Sequence, residues 1–120
     1  MSRGRLPILR VAGNLLVAVN LDLDDASAEA FQHDVLDAIE RRSPNGLVID
    51  ISGLEIVDTY VARVLADTAS MARLMGVRAV VAGMRPEVAA TLVQMGFLLE
   101  SVHTALDVDD ALAWLGGGGR

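Results

Sequence analysis

The stretch GLEIVDTYVARVLA, from Gly53 to Ala66, sets a carboxylate and a hydroxyl side by side at Asp58 and Thr59, where an extended apolar segment gives way to a helical pattern. An aspartate just before a helix is the natural N-cap, its carboxylate accepting backbone N–H bonds from the first turn. The threonine then falls in that first turn. Positions 59, 63, 67 and 70 are spaced i, i+4, i+8 and i+11, so Thr59 shares the polar side of the helix with Arg63, Asp67 and Ser70, and its hydroxyl is expected to face outward. A phosphate on it would add roughly −1.5 to −2 charges beside the positive end of a helix, where the macrodipole and free N–H groups tolerate an anion. A partner docked over that helix end would meet the new charge close to Glu55 and Asp58. Arg63, one turn on, can be a solvated surface residue or pair with the phosphate or with an acidic partner. Without any phosphate, the Asp58-Thr59 pair is a plain helix cap.

Other chemistry-bearing residues form weaker patterns. Asp50 at a strand end and Asp22 and Asp24 on a wet strand face can supply carboxylates, but nothing groups them around one substrate. Ser52-Gly53 and Gly83 can cradle an anion, although such a pair is more often a turn. His33 on a polar helix face and His103 in a strand do not have metal-ligand spacing. Met71, Met75, Met84 and Met95 read as core filler. No nucleophile and base pair, phosphate loop or metal cluster is visible, so neither catalysis nor a cofactor is expected.

Composition narrows the classes further. All ten basic residues are arginine, and the chain has neither lysine nor cysteine. The lysine of a GxxxxGK[ST] loop, a Schiff-base amine, a disulfide framework and a thiol nucleophile are therefore all missing. A net charge of −6 with 3% aromatic residues opposes nucleic-acid binding. Despite 52% apolar residues and a mean hydropathy of +0.43, no apolar run approaches the ~18 residues of a membrane span. Arg10 and Gly13-Asn14 interrupt the only signal-like region, so the N-terminus reads as mature structure and the cytoplasm as the expected location.

The elements that must position Asp58 and Thr59 are legible as periods. LLVAVNLDLD from Leu15 alternates, with Leu15, Val17, Val19, Leu21 and Leu23 on one face and Asn20, Asp22 and Asp24 on a wet one. A Gly13-Asn14 turn joins it to a strand around Leu6 to Val11, where Pro7 suggests a sheet edge. Helices are predicted near 26–42, 59–75, 86–95 and 108–115. The first carries Ala28, Phe31, Val35, Ala38 and Ile39 inward and is stopped by Pro44 and Asn45-Gly46; the second carries Val61, Val64, Leu65, Thr68, Ala72 and Met75 and ends at Gly76. Pro86 opens the third, Gly96 follows it, and Asp107 caps the fourth. Leu47 to Ile51 and Ala79 to Gly83 read as buried strands, and SVHTA from Ser101 as a last short one. The fold class is α/β: a mixed, mostly parallel sheet with an N-terminal hairpin and about four α-helices packed on it, as one domain over 1–116 with a flexible tail at 117–120.

LVIDISGLEIVDTYVARVL, VVAGMRPEVAATLVQMG and TALDVDDAL, together with the opening PILRVAGNLLVAVNLDL, resemble STAS domains of the anti-sigma-factor antagonist class, and among them the RsbS type of stressosome protein. The likeness covers nearly the whole chain. It implies a non-enzymatic scaffold that sequesters an RsbT-like serine/threonine kinase and releases it on phosphorylation, alongside RsbR-like STAS co-antagonists and self-association into a stressosome-like assembly. The matching acceptor is Thr59, preceded by Asp58; Glu55, Asp58, Thr59 and Arg63 become the expected partner surface. RsbS proteins often have serine at the acceptor position, and threonine there is also similar to the RsbR type, whose extra N-terminal sensor domain 120 residues leave no room for. The high apolar content is compatible with self-association. The alternatives are a nucleotide- or small-ligand-binding STAS module using Ser52-Gly53 and Gly83, and an enzyme using the carboxylates.

Overall fold

In the computed structural model, which describes residues 7–20, 24–96 and 102–117, the LVIDI run forms the middle of the sheet. The elements follow in the order β1 (Ile8–Val11), β2 (Asn14–Asn20), α1 (Asp25–Arg42), β3 (Gly46–Gly53), α2 (Thr59–Leu74), β4 (Arg78–Ala82), α3 (Pro86–Gln94), β5 (His103–Ala105) and α4 (Val108–Gly116). The strands lie side by side in sequence order. The first pair is antiparallel and the other three pairs are parallel. The predicted mixed sheet is thus observed, with Pro7 just ahead of the edge strand β1.

The apolar run of β3 resolves into two stripes of period two. Leu47, Ile49 and Ile51 enter one core with Phe31 and Val35 of α1, Val61 and Ala69 of α2, and Val88 and Leu92 of α3. Val48 faces the other way, into a smaller cluster with Val80, Ala82 and the α4 residues Ala111 and Leu115. Three helices therefore cover one face and α4 covers part of the other, which is why Leu47 to Ile49 have no wet side, while Asp50 and Ser52 continue the Val48 side beyond the α4 cluster. All five predicted inward residues of α1 are buried. Thr68 is fully buried on α2 because its hydroxyl is satisfied twice, donating to the Val64 carbonyl at 2.7 Å and accepting from Gln32 Nε2 at 3.0 Å.

Several expectations shift. The hairpin turn is centred on Ala12-Gly13 and not on Gly13-Asn14: Val11 pairs with Asn14, and the two residues between have φ of 52° and 83°. Positive φ at both loop positions is the primed geometry that matches strand twist. Asp24 does not lie on a wet strand face; it caps α1, accepting from the Ser27 N–H at 2.8 Å. The side of β2 opposite Leu15 is not fully wet either, since Leu16 packs against the α4 cluster. Met75 leaves the core stripe at 45% exposure, and Met71 is 41% exposed. Gly76, with φ of 90°, ends the helix there and turns the chain back toward Val77 and β4. Leu6, Leu21, Asp22, Leu23, Ser101 and 118–120 lie outside the described residues.

Candidate functional site

Strands β2 to β5 run parallel and each is followed by a helix, so α1 to α4 all start at one edge of the sheet. Asp58 and Thr59 sit there. The chain leaves β3 with the Leu54 N–H donating to the Ile51 carbonyl at 3.0 Å. Leu54 and Val57, 1% and 5% exposed, plant the connection in the core, while Ile56 between them is 85% exposed and Glu55 also faces solvent. Asp58 is extended, with φ −98° and ψ 177°. Its Oδ1 accepts from the Val61 N–H at 2.8 Å, and its carbonyl accepts from the Ala62 N–H at 2.9 Å. The predicted cap is present.

Thr59 is the first residue of α2 and is exposed. Its hydroxyl donates to Met95 Sδ at 3.7 Å, and a thioether is a weak acceptor, so the oxygen is positioned but not locked. Arg63 and Asp67 are exposed on the same helix and Ser70 is half-buried. Thr59 and Arg63 therefore belong to one polar side, as their spacing predicts. Beside them the Tyr60 hydroxyl donates to Glu29 Oε2 at 2.6 Å, fastening α2 to α1. That hydrogen bond, then partial burial, then the charges of Glu29 and Asp25 push the Tyr60 pKa up to about 12. Sequence reasoning missed Tyr60, Glu29 and Met95. Their partners are more than thirty residues away, and only an assembled fold brings them together.

The first turns of the helices differ in charge. Asp25 lies in that of α1, Glu87 in that of α3, and Asp109 and Asp110 in that of α4, but the first turn of α2 has no acid. An N-terminal turn ordinarily gains from a negative charge. Among the described helices, α2 alone leaves that place to a neutral hydroxyl.

The second candidate, around Ser52 and Gly83, is a groove of about 520 Å³ between the starts of α3 and α4. Gly83 has φ of 77°, and a Cβ there would meet Ser52 Cβ at 2.9 Å and Asp50 Oδ1 at 3.0 Å. The Ser52 N–H donates to Asp50 Oδ1 at 3.0 Å, and Arg85 Nε donates to the Ser52 carbonyl at 2.8 Å. Asp107 and Asp109 line the same groove. Three carboxylates thus face one guanidinium that is already engaged, the wrong charge for phosphate or a nucleotide. Beneath the sheet edge, the apolar cavity bounded by Ile51, Val57, Leu65, Met84 and Leu92 is only about 20 Å³, room for little more than a water. Met84 packs against the main core. His33 is an exposed neighbour of Asp34, and His103 stacks on Trp114 with ring centres 3.9 Å apart. No three His, Asp or Glu side chains among the described residues are grouped as metal ligands. No helix among them is long and apolar enough to cross a membrane.

A sheet of this order with a capped, hydroxyl-bearing helix after its central strand defines a class. The STAS domain model matches residues 6–111, and the chain belongs to that family. Within it, the fold is of the anti-sigma-factor antagonist and stressosome type. A serine-to-glutamate variant of Moorella thermoacetica RsbS superposes with a TM-score of 0.86 at 40% identity, covering 98% of this chain and 99% of that one. A chain from the molecular architecture of the stressosome, a signal integration and transduction hub, gives 0.84 at 40% identity over 95% and 99%. The RsbT co-antagonist protein RsbRC of Bacillus subtilis is 33% identical over 92 residues, 77% of this chain. This chain spans about a third of the length of that relative, 33%.

Proposed function

We propose that this STAS domain is a non-enzymatic partner-switching regulator that holds an RsbT-type serine/threonine kinase over the start of α2 and releases it when Thr59 is phosphorylated. The observation that carries this reading is the exposed Thr59 hydroxyl in a first helical turn without an acid. A phosphate there gains from the helix dipole that the other helices satisfy with Asp or Glu. The domain therefore tolerates the modification while its docking surface does not. A partner seated against Glu55, Asp58, Thr59 and Arg63 would confront a dianion, and losing ~3 kcal/mol of binding is more than a hundredfold in affinity. The kinase supplies ATP and the base: the bond from Thr59 Oγ1 to the γ-phosphorus forms, the bond to ADP breaks, and the hydroxyl proton leaves to the base.

The relatives support the same reading. One is named as an RsbT co-antagonist, and another is an RsbS in which a serine has been exchanged for glutamate. By extension the domain works in the cytoplasm, in an assembly of stressosome type with RsbR-like STAS partners. The nucleotide- or small-ligand-binding reading is disfavoured by the carboxylates of the Ser52 groove.

The test is incubation of the purified chain with the cognate RsbT-type kinase and ATP, read by intact mass and binding. Thr59→Ala is expected to take up no phosphate and keep the kinase bound, because only the reactive oxygen is removed. Thr59→Glu is expected to weaken binding at least tenfold, though less than phosphate, having less charge and fewer acceptor oxygens. Wild-type phosphate incorporation into Thr59→Ala, or undiminished kinase binding by Thr59→Glu, would sink the proposal.

A further inference from the structure

The acceptor hydroxyl of the proposed switch rests on a sulfur atom. Thr59 Oγ1 donates to Met95 Sδ at 3.7 Å. A thioether accepts weakly, but the backbone fixes where this one stands: Met95 is the C-cap of α3, and its N–H donates to the Thr91 carbonyl at 2.9 Å. Gly96, with φ of 81°, then turns the chain out of the helix. Met95 is half-buried and Thr59 exposed, so the pair is open to small solutes. The chain has five methionines and no cysteine, which makes the thioether its only sulfur chemistry. Met84 packs against the main core, and Met71 and Met75, 41% and 45% exposed, stand at the far end of α2. Among the described methionines, Met95 is the one hydrogen-bonded to the acceptor hydroxyl.

We infer that Met95 is an oxidation site that gates the phosphorylation of Thr59: a peroxide converts its thioether to the sulfoxide, whose oxygen takes the Thr59 hydroxyl in a strong hydrogen bond that phosphoryl transfer must break. The inference rests on the Thr59 reading and adds a regulator to it. The sulfur lone pair attacks one oxygen of hydrogen peroxide, the S–O bond forms as the O–O bond breaks, and the other oxygen departs as water with both protons. Sulfur gives up two electrons and the peroxide takes them. A methionine sulfoxide reductase reverses the step, thiols returning the two electrons and the oxygen leaving as water.

The geometry suits the exchange of a weak acceptor for a strong one. The 3.7 Å separation leaves room for the new oxygen, since an O–H···O bond spans about 2.7–2.8 Å. The proton held by that bond is the one that must leave to the kinase's base as the phosphate arrives. The net strength of one neutral hydrogen bond corresponds to slowing of about threefold to tenfold. A sulfoxide has no net charge, so a partner over Glu55, Asp58 and Arg63 meets no dianion and stays docked. Oxidation therefore prolongs sequestration, opposite in sign to phosphorylation.

The test treats the whole chain with hydrogen peroxide, removes the excess with catalase, and then adds the cognate RsbT-type kinase and ATP. Peptide mass spectrometry is expected to find sulfoxide at Met95, and phosphate uptake by Thr59 at saturating kinase to slow about threefold to tenfold with unchanged kinase affinity. A methionine sulfoxide reductase is expected to restore the rate. Met95→Leu keeps the apolar bulk without the sulfur, and its phosphorylation is expected to be indifferent to peroxide even as Met71 and Met75 are oxidised. Met95→Gln places a carbonyl acceptor on a side chain of similar length and is expected to be slow without any peroxide. The gate is overturned by an unchanged rate with Met95 oxidised, by a Met95 that peroxide does not reach, or by a Met95→Leu chain slowed as much as wild type. Slowing accompanied by a lower thermal midpoint or weaker kinase binding overturns it too, because oxidation would then be damage. These outcomes leave the switch reading standing. An untreated chain that takes no phosphate on Thr59 is what sinks that reading, and the gate with it.

Discussion

Helices α2 and α4 start at the same edge of the sheet with the same device. Asp58 Oδ1 accepts from the Val61 N–H and Asp107 Oδ1 from the Asp110 N–H, both at 2.8 Å. They part company one residue later. The first turn of α4 contains Asp109 and Asp110, permanent charges suited to the positive helix end; that of α2 begins Thr59, Tyr60, Val61 and contains none. The aspartate cap is thus a folding device shared across the molecule and marks no function by itself. What distinguishes α2 is a neutral hydroxyl in a place that favours a negative charge, on a helix whose neighbours Glu55 and Ile56 face outward.

The sharpest way to separate cap from switch is to remove each aspartate in turn. Asp58→Ala and Asp107→Ala are each expected to cost about 0.5–2 kcal/mol, because each deletes one acceptor for a helix-start N–H. Only Asp58→Ala is expected to slow phosphoryl transfer to Thr59, by an order of magnitude or more. Chemical denaturation and a phosphorylation time course on both variants check this. Equal slowing in the two would reduce the effect of Asp58 to general loss of stability.

Much of this arrangement was legible in the sequence because caps and helix stops are local. Asp58, Asp107, Pro86, Gly76 and Gly96 each act within a few residues of where they stand, and each is found in its expected role. The mixed, mostly parallel sheet followed from the hairpin and the alternating elements. What the sequence concealed depends on packing between distant segments. Asp24 continues an alternating strand pattern to the last residue, yet it stands at the start of α1 as its cap. Met75 fits the helical period of the core stripe, but it stands at the C-cap of α2 and is 45% exposed. The Tyr60 bond to Glu29 and the Thr59 contact with Met95 join residues with no periodic relation.

That Tyr60 bond offers a second test of how firmly the α2 start is held. Tyr60 is the only tyrosine in the chain, so its ionisation can be followed by ultraviolet absorbance. The midpoint is expected near 12 in the folded protein, against 10.0 for a free tyrosine. Because folding raises this pKa, the stability linked to the bond is complete below pH 10 and fades as pH rises through about 12. Glu29→Ala removes both acceptor and charge and is expected to bring the midpoint down toward the ordinary value. An unchanged midpoint in that variant would mean that Glu29 does not hold the hydroxyl in solution.

The smallest expected effect bears most directly on the contrast between the two helix starts. If the first turn of α2 favours an anion, Thr59→Glu stabilises the free domain even as it weakens kinase binding, by about 0.3–1 kcal/mol from the helix dipole. Val108→Glu at the equivalent place on α4 is expected to gain less, because the new charge would crowd Asp109 and Asp110. The Thr59→Glu gain should also shrink in 1 M salt, where screening acts over about 3 Å. Urea midpoints of the three proteins at low and high salt measure all of this. A Thr59→Glu domain less stable than wild type at low salt would mean that a charge at this position disturbs the domain itself. Loss of kinase would then be a symptom of local unfolding rather than of repulsion at an intact surface.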